Sequence, residues 1–174
     1  IGPSDYASVA REGINTRGAN GVFFVDVLGS HGSLLEVQNR VNDGDDTSLH
    51  STPRMIEDTH VYPLLKGEDV GLFKATPRAA IVLPHDAQRH SRPIPFTELG
   101  DRTQDFLEAF KCKLRSRSNF RNFRPKLRDW HGLWSVLRET FAQHRVVWRE
   151  IKAGPTAAVV HQARLLPDRD EKTV

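Results

Sequence analysis

Apolar residues fall into short runs separated by long polar stretches. VFFVDVLG, at 22–29, is β-branched and aromatic and bounded by glycines, which predicts a buried strand. The turn SHGS follows, and LLEVQNR at 34–40 predicts its hairpin partner. Residues 42–54 are polar and acidic and predict an exposed loop, after which 55–61 predicts a short strand. LLKGEDVGLF, 64–73, predicts a helical turn broken at Gly67 and then an extended piece. AAIVLP, 79–84, predicts an apolar strand ended by Pro84, and three prolines from 84 to 95 leave the next segment as loop.

A helix is predicted from Asp101, with Asp101 as N-cap and Gln104 completing a capping box. Phe106, Phe110 and Leu114 recur at i, i+4 and i+8, with Leu107 beside them, so one face is apolar. A second short helix fits 133–141, and two neighbouring strands fit 144–151 and 156–162. The polar tail 163–174 is expected to fray. Strands do not alternate with helices, which argues against a doubly wound fold. The expectation is one α+β domain over 1–174, its core at about 11–162, with a mixed or antiparallel sheet, one main amphipathic helix and long loops.

The 174 residues suit one ordinary domain. The single cysteine, Cys112, excludes a disulfide framework and a cysteine-rich zinc site within the chain. No apolar run approaches a membrane span, and the first residues lack the pattern of a secretory signal. The start without methionine gives the chain the look of a piece of a longer protein.

Charge changes this picture most. The formal net charge is +3, but residues 1–60 carry −5, 61–110 carry −1 and 111–174 carry +9. The densest part, KCKLRSRSNFRNFRPKLR at 111–128, holds eight cations and no anion. An uninterrupted cation run suits a polyanion, because each phosphate contact releases condensed counterions. Lys111, Lys113, Arg115, Arg117, Arg121, Arg124, Lys126 and Arg128 are the candidates for phosphates. Asn119, Asn122, Arg121 and Arg124 are the candidates for base edges, since asparagine pairs with adenine and arginine with guanine. Phe120 and Phe123 either stack on bases or anchor the loop in the core. A protein-interaction module whose basic face meets an acidic partner is the competing reading of the same run.

Catalytic signatures are sparse. The sequence has no phosphate-binding GxxxxGK[ST], no GxSxG, no HExxH and no GxGxxG after a strand. The eight histidines are scattered, and neither His85/His90 nor His50/His60 has zinc-ligand spacing. One constellation carries an alternative: Asp26 on one strand of the expected hairpin, with Glu36 and Gln38 sharing a face of the other. Two carboxylates and an amide oxygen can hold Mg²⁺ beside a phosphodiester. The set resembles the Asp…Glu-x-Lys pattern of type II restriction nucleases, with glutamine in the lysine position. An ordinary polar hairpin face is the favoured reading of the same three residues.

The order of motifs carries a further resemblance. GINTRGANGVFFVDV resembles the segment that opens the target-recognition domain of N6-adenine-specific DNA methyltransferases, G-x-x-T-G-x-N-x-x-F. Gly13, Thr16, Gly18, Asn20 and Phe23/Phe24 stand in those places, with Arg17 inserted. Leu65, Gly67, Asp69 and Val70 are similar to the family's L-x-G-x-D-[IV] element, and AAIVLPHD to its I-x-x-P strand. The helix with Phe106, Leu107 and Phe110, followed by Lys111, Leu114, Arg115 and Arg117, resembles the Y-L…L-x-x-R helix. Trp130 or Trp134 fits the W-x-x-L that follows, and RVVWREI the K-[IV]-V-W-[KR]-x-I segment.

The resemblance covers about residues 11–160 and is to the TaqI-like C-terminal specificity domain of such methyltransferases and restriction–modification enzymes. It implies sequence-specific recognition of double-stranded DNA in a bacterial, cytoplasmic setting. It also implies a partner, the catalytic methyltransferase domain of the same parent chain. That half would hold S-adenosylmethionine; the present chain has neither Asn-Pro-Pro-Tyr nor F-x-G-x-G, so no cofactor, metal site or catalytic residue is expected within it. Arg17, Asn20 and Thr16 join the candidate DNA contacts, while the glycines of 13–21 are expected to be structural, supplying positive φ.

Overall fold

The computed structural model describes residues 10–44, 49–117, 129–149 and 156–161. Its fold is α+β. β1 (Phe24–His31) and β2 (Leu34–Asn39) form an antiparallel hairpin whose tight turn passes through Gly32 at φ +65. β3 (Arg54–Glu57) extends the sheet beside β2, and β5 (Ala79–Val82) and then β4 (Val61–Leu64) extend it beside β1. The order is β3-β2-β1-β5-β4, antiparallel throughout.

The predicted strand at 22–29 begins later, because Asn20–Phe23 form one helical turn, α1, that buries Val22 and Phe23. The strand expected at 55–61 is two strands on opposite edges of one sheet. A 3-10 turn of three residues, Asp58–His60, joins them. Flat, four strand spacings would separate those edges by about 19 Å, whereas so short a link reaches about 13 Å. The sheet must therefore curl until its edges approach at this corner. Two hydrogen bonds fix it there: Asp58 N–H donates to the Ser33 carbonyl and Leu83 N–H to that of His60, at 2.9 and 2.8 Å.

One side of the sheet holds much of the core, with Val25, Leu35, Val37, Ile56 and Ala80 sharing the face that packs with Phe106, Leu107, Phe110 and Leu114. The last four lie on α2 (Asp101–Ala109), on α3 (Lys111–Ser116) or at the Phe110 joint between them. One helix was expected; the chain kinks at Phe110 (φ −108, ψ 10) and continues with the same face buried. Gly100, not Asp101, is the N-cap, and Gln104 reaches back to the Leu99 carbonyl.

The cap of α2 comes from β3. The Glu57 carboxylate accepts hydrogen bonds from the N–H groups of Arg102 and Thr103 and from the Thr103 hydroxyl, at 3.0, 2.8 and 2.6 Å. Burial pushes the Glu57 carboxyl up, but the bonds from Thr103 and Arg102 outweigh it and hold it below its usual value. A Cβ on Gly100 would stand 2.2 Å from the Glu57 carboxyl carbon, so only glycine leaves room. Glu57→Ala is expected to cost about 1–2 kcal/mol, the worth of a good cap. Gly100→Ala should cost a similar amount by displacing the carboxylate. The two should add to much less than their sum in urea denaturation, since both remove one interaction. Full additivity would show that Gly100 matters for another reason.

No second α-helix forms at 133–141. Asn15 and Trp134 exchange backbone bonds, Ser135 sits at φ +56, and only Arg138–Phe141 turns, as a 3-10 helix. β6 (His144–Trp148) and β7 (Ala157–His161) form a separate two-stranded antiparallel sheet, close to the predicted positions. The tail 163–174 lies outside the described residues. Among the described residues no helix is long and apolar enough to cross a membrane.

Candidate nucleic-acid interface

The cation run begins on α3. Lys111, Lys113 and Arg115 occupy this short helix; Arg115 is exposed. Lys111 pairs with Glu108 at 2.6 Å and its ammonium lies 5.4 Å from the Trp130 ring centroid. Asn119, Arg121, Asn122, Arg124, Lys126 and Arg128, with Phe120 and Phe123, lie outside the described residues.

Arg117 corrects one expectation. It is 4% exposed and is not available to a phosphate. Its Nε donates to the Leu114 carbonyl at 2.9 Å. Its Nη1 donates to the Thr16 carbonyl at 3.1 Å, and its Nη2 to those of Trp130 and Gly132 at 2.6 and 3.0 Å. The guanidinium lies 5.6 Å from the Phe23 ring centroid and 4.8 Å from that of Trp134. Burial lowers its pKa to about 10, still far above neutrality, so it stays charged and spends that charge on carbonyl oxygens.

This one side chain joins three segments: the glycine-rich loop through Thr16, the end of α3, and the stretch 130–134. Within the loop, Thr16 is buried and its hydroxyl bonds to the Asn20 Oδ1. Asn20 thus uses its oxygen to hold the loop. Gly18 adopts φ +82, as expected of a structural glycine. Arg17 is exposed at φ +55, its N–H held by the Asn15 Oδ1 at 2.9 Å. Arg17 is therefore the residue of this loop whose side chain faces solvent.

Two histidines fasten 130–134 from the other side, and sequence reasoning missed both. His85 Nδ1 donates to the His90 carbonyl at 2.6 Å, leaving Nε2 to accept from Leu133 N–H at 3.0 Å. His131 Nε2 donates to the Ile94 carbonyl at 2.8 Å. Each histidine holds the other's backbone segment. Burial lowers the pKa of both, that of His85 to about 4. Their mid-loop positions look the same in sequence as those of solvated histidines.

The hairpin brings Asp26 directly opposite Gln38, with Glu36 on the same strand opposite Gly29 after a bulge. The Asp26 carboxylate is engaged by Arg40 at 2.8 Å, which also pairs with Asp43 at 2.7 Å; Asp43 in turn meets Lys66 at 3.1 Å. Asp26 Oδ1 is thus engaged by a guanidinium. Among the described residues no three histidine, cysteine or acidic side chains are grouped to hold a metal. In comparisons with known proteins, the chain matches no family model, no curated protein and no solved structure.

Proposed function

We propose that the chain reads double-stranded DNA as the target-recognition module of an N6-adenine DNA methyltransferase or a fused restriction–modification enzyme. The observation that carries this reading is the Arg117 cluster. The segments that bear the family resemblance — the 13–20 loop, the L-x-x-R helix and the Trp130–Trp134 stretch — meet at one guanidinium. That cluster also joins Arg117 to Trp130, on either side of residues 118–128, which carry half of the cation run. Cations placed next to residues fixed in the core suit a recognition role.

In such an enzyme the catalytic domain extrudes the adenine, and a second domain grips the duplex and reads flanking bases. Here Lys113, Arg115, Lys126 and Arg128 would neutralise phosphates, with Arg121, Asn122, Arg124 and Asn119 at base edges and Arg17 as an outlying contact. Catalysis and S-adenosylmethionine belong to the parent's other domain, and no residue of this chain is assigned to either.

The test is a binding titration of the full chain against mixed-sequence duplex DNA over a range of salt. Affinity should fall steeply with salt, and removing one phosphate-binding cation should reduce the log–log slope by about 0.9. Arg121→Ala with Arg124→Ala should weaken binding markedly. Unchanged affinity in that pair, or no DNA binding by a folded chain, would overturn the reading.

A further inference from the structure

The turn after the L-x-G-x-D-V element presents two apolar side chains to solvent. Gly71 N–H bonds to the Lys74 carbonyl at 2.7 Å, and Val70 and Ala75 bridge beneath it. Asp69 braces the base: its Oδ2 accepts from Lys66 N–H at 2.8 Å and its carbonyl from Thr76 N–H at 3.1 Å. At the tip Leu72 is exposed, and Phe73 is 85% exposed at φ +63. A bulky residue in the left-handed region is strained, and an exposed ring regains nothing by burial. The same turn could be made without strain by glycine.

Phe73 is tied to the β6–β7 hairpin. Its N–H donates to the Ala157 carbonyl at 2.8 Å, and Ala157 is paired with Trp148. Trp148 is 51% exposed, on the hairpin face that also exposes Val146 and Val159. Cations lie close to both rings in sequence: exposed Lys74 follows Phe73, half-buried Arg149 follows Trp148 with its guanidinium beside Gly67, and exposed Arg78 pairs with Asp69. Among the described residues of 66–78 and 144–149, the exposed carboxylate is Glu68, which pairs with Lys66.

Exposed aromatic rings on cation-bearing segments match a ligand with flat apolar faces and a polyanionic backbone. A protein partner would require apolar complementarity, which leaves the flanking cations unexplained. We propose that Phe73 and Trp148 form a base-stacking surface for DNA, distinct from the cation run at 111–128. This inference rests on the DNA-reading function above and adds to it where unstacked bases are gripped.

The experiment compares the full chain with Phe73→Gly and Trp148→Leu, titrated with a mixed-sequence duplex and with one of its strands alone. Each variant should bind the single strand about 5–150-fold more weakly, the range for removal of one base–aromatic stack. The salt slope should not change, because no cation is removed. Phe73→Gly should raise the thermal midpoint while lowering affinity, since it relieves the left-handed strain. Phe73→Trp and Trp148→Phe should retain binding and guard against variants that merely unfold. Wild-type affinity for both probes in Phe73→Gly and Trp148→Leu, with a normal salt slope, would overturn the stacking surface and leave the DNA-reading function standing. Self-association of the wild type, abolished in these variants while DNA affinity holds, would overturn it in favour of a protein interface. Absence of DNA binding by the wild type would overturn both.

Discussion

Replacing Arg117 by alanine is expected to unfold the chain or to lower its stability by about 3–5 kcal/mol, the range for breaking a buried charged network. The substitution leaves the carbonyls of Thr16, Trp130 and Gly132 without their donor and opens a void between Phe23 and Trp134. Arg117→Lys should be almost as damaging. One ammonium cannot reach carbonyls on three segments from a single point, nor lie flat between two rings. Denaturation followed by tryptophan fluorescence measures the loss. A phosphate-binding arginine would behave oppositely: Arg117→Ala would fold normally and lower only the salt slope of DNA binding, and that outcome would refute the structural role.

Arg117 also shows where sequence reasoning stopped. Among eight cations in 111–128 it looks like any other. A clue was present: it lies three residues after Leu114 and seven after Phe110, so it continues the apolar stripe of Phe106, Phe110 and Leu114. Charge composition assigned it to solvent, whereas helical periodicity assigned it to the core. Periodicity prevailed because three carbonyls and two rings from distant segments converge there. Strands were legible because short apolar, β-branched runs bounded by glycine or proline have few other uses, as 79–84 and most of 22–29 show. The split of 55–61 was not, because it depends on the sheet curling, a property of all five strands together. The Glu57 cap was equally hidden, its partners lying 45 and 46 residues away.

The same limit applied to the exposed rings of Phe73 and Trp148. Trp148 lies in an alternating run that looks like half-buried strand, and Phe73 in an apolar stretch that looks like core. The structure puts both at the surface because β6 and β7 pair only with each other and because the 70–75 turn points outward. The Arg40–Asp26 pair likewise follows from tertiary placement: Arg40 N–H bonds to the Phe24 carbonyl, which brings the guanidinium over the next carboxylate along β1.

Acid should lower stability through His85, which clamps residues 130–134, before it does so through the carboxylates. Neutral His85 is fully satisfied in one tautomer, with Nδ1–H on the His90 carbonyl and bare Nε2 facing Leu133 N–H. Protonation would set an Nε2–H against that N–H. Burial is the main reason the charged form is disfavoured, and neighbouring His131 adds repulsion. The bond to the His90 carbonyl and the nearby Asp86 and Asp129 favour the charged form but do not offset burial. His131 faces Asp129 and Arg117 and is shifted in the same direction.

The folded pKa of His85, about 4, lies below the ordinary 6.5, so the unfolded chain takes up this proton first as pH falls. Stability is thus fully present above about pH 6.5, declines toward pH 4 and levels below it, by about 3 kcal/mol for this group. Glu57 and Asp43, whose values are held down, lose their contributions only in the lower carboxylate range. Urea denaturation at a series of pH values should therefore show a slope already between pH 6.5 and 5. His85→Gln should be less stable than wild type at pH 7 yet show a smaller slope in that window. Some slope should persist, because His131 remains. An undiminished slope in His85→Gln would remove His85 as its source.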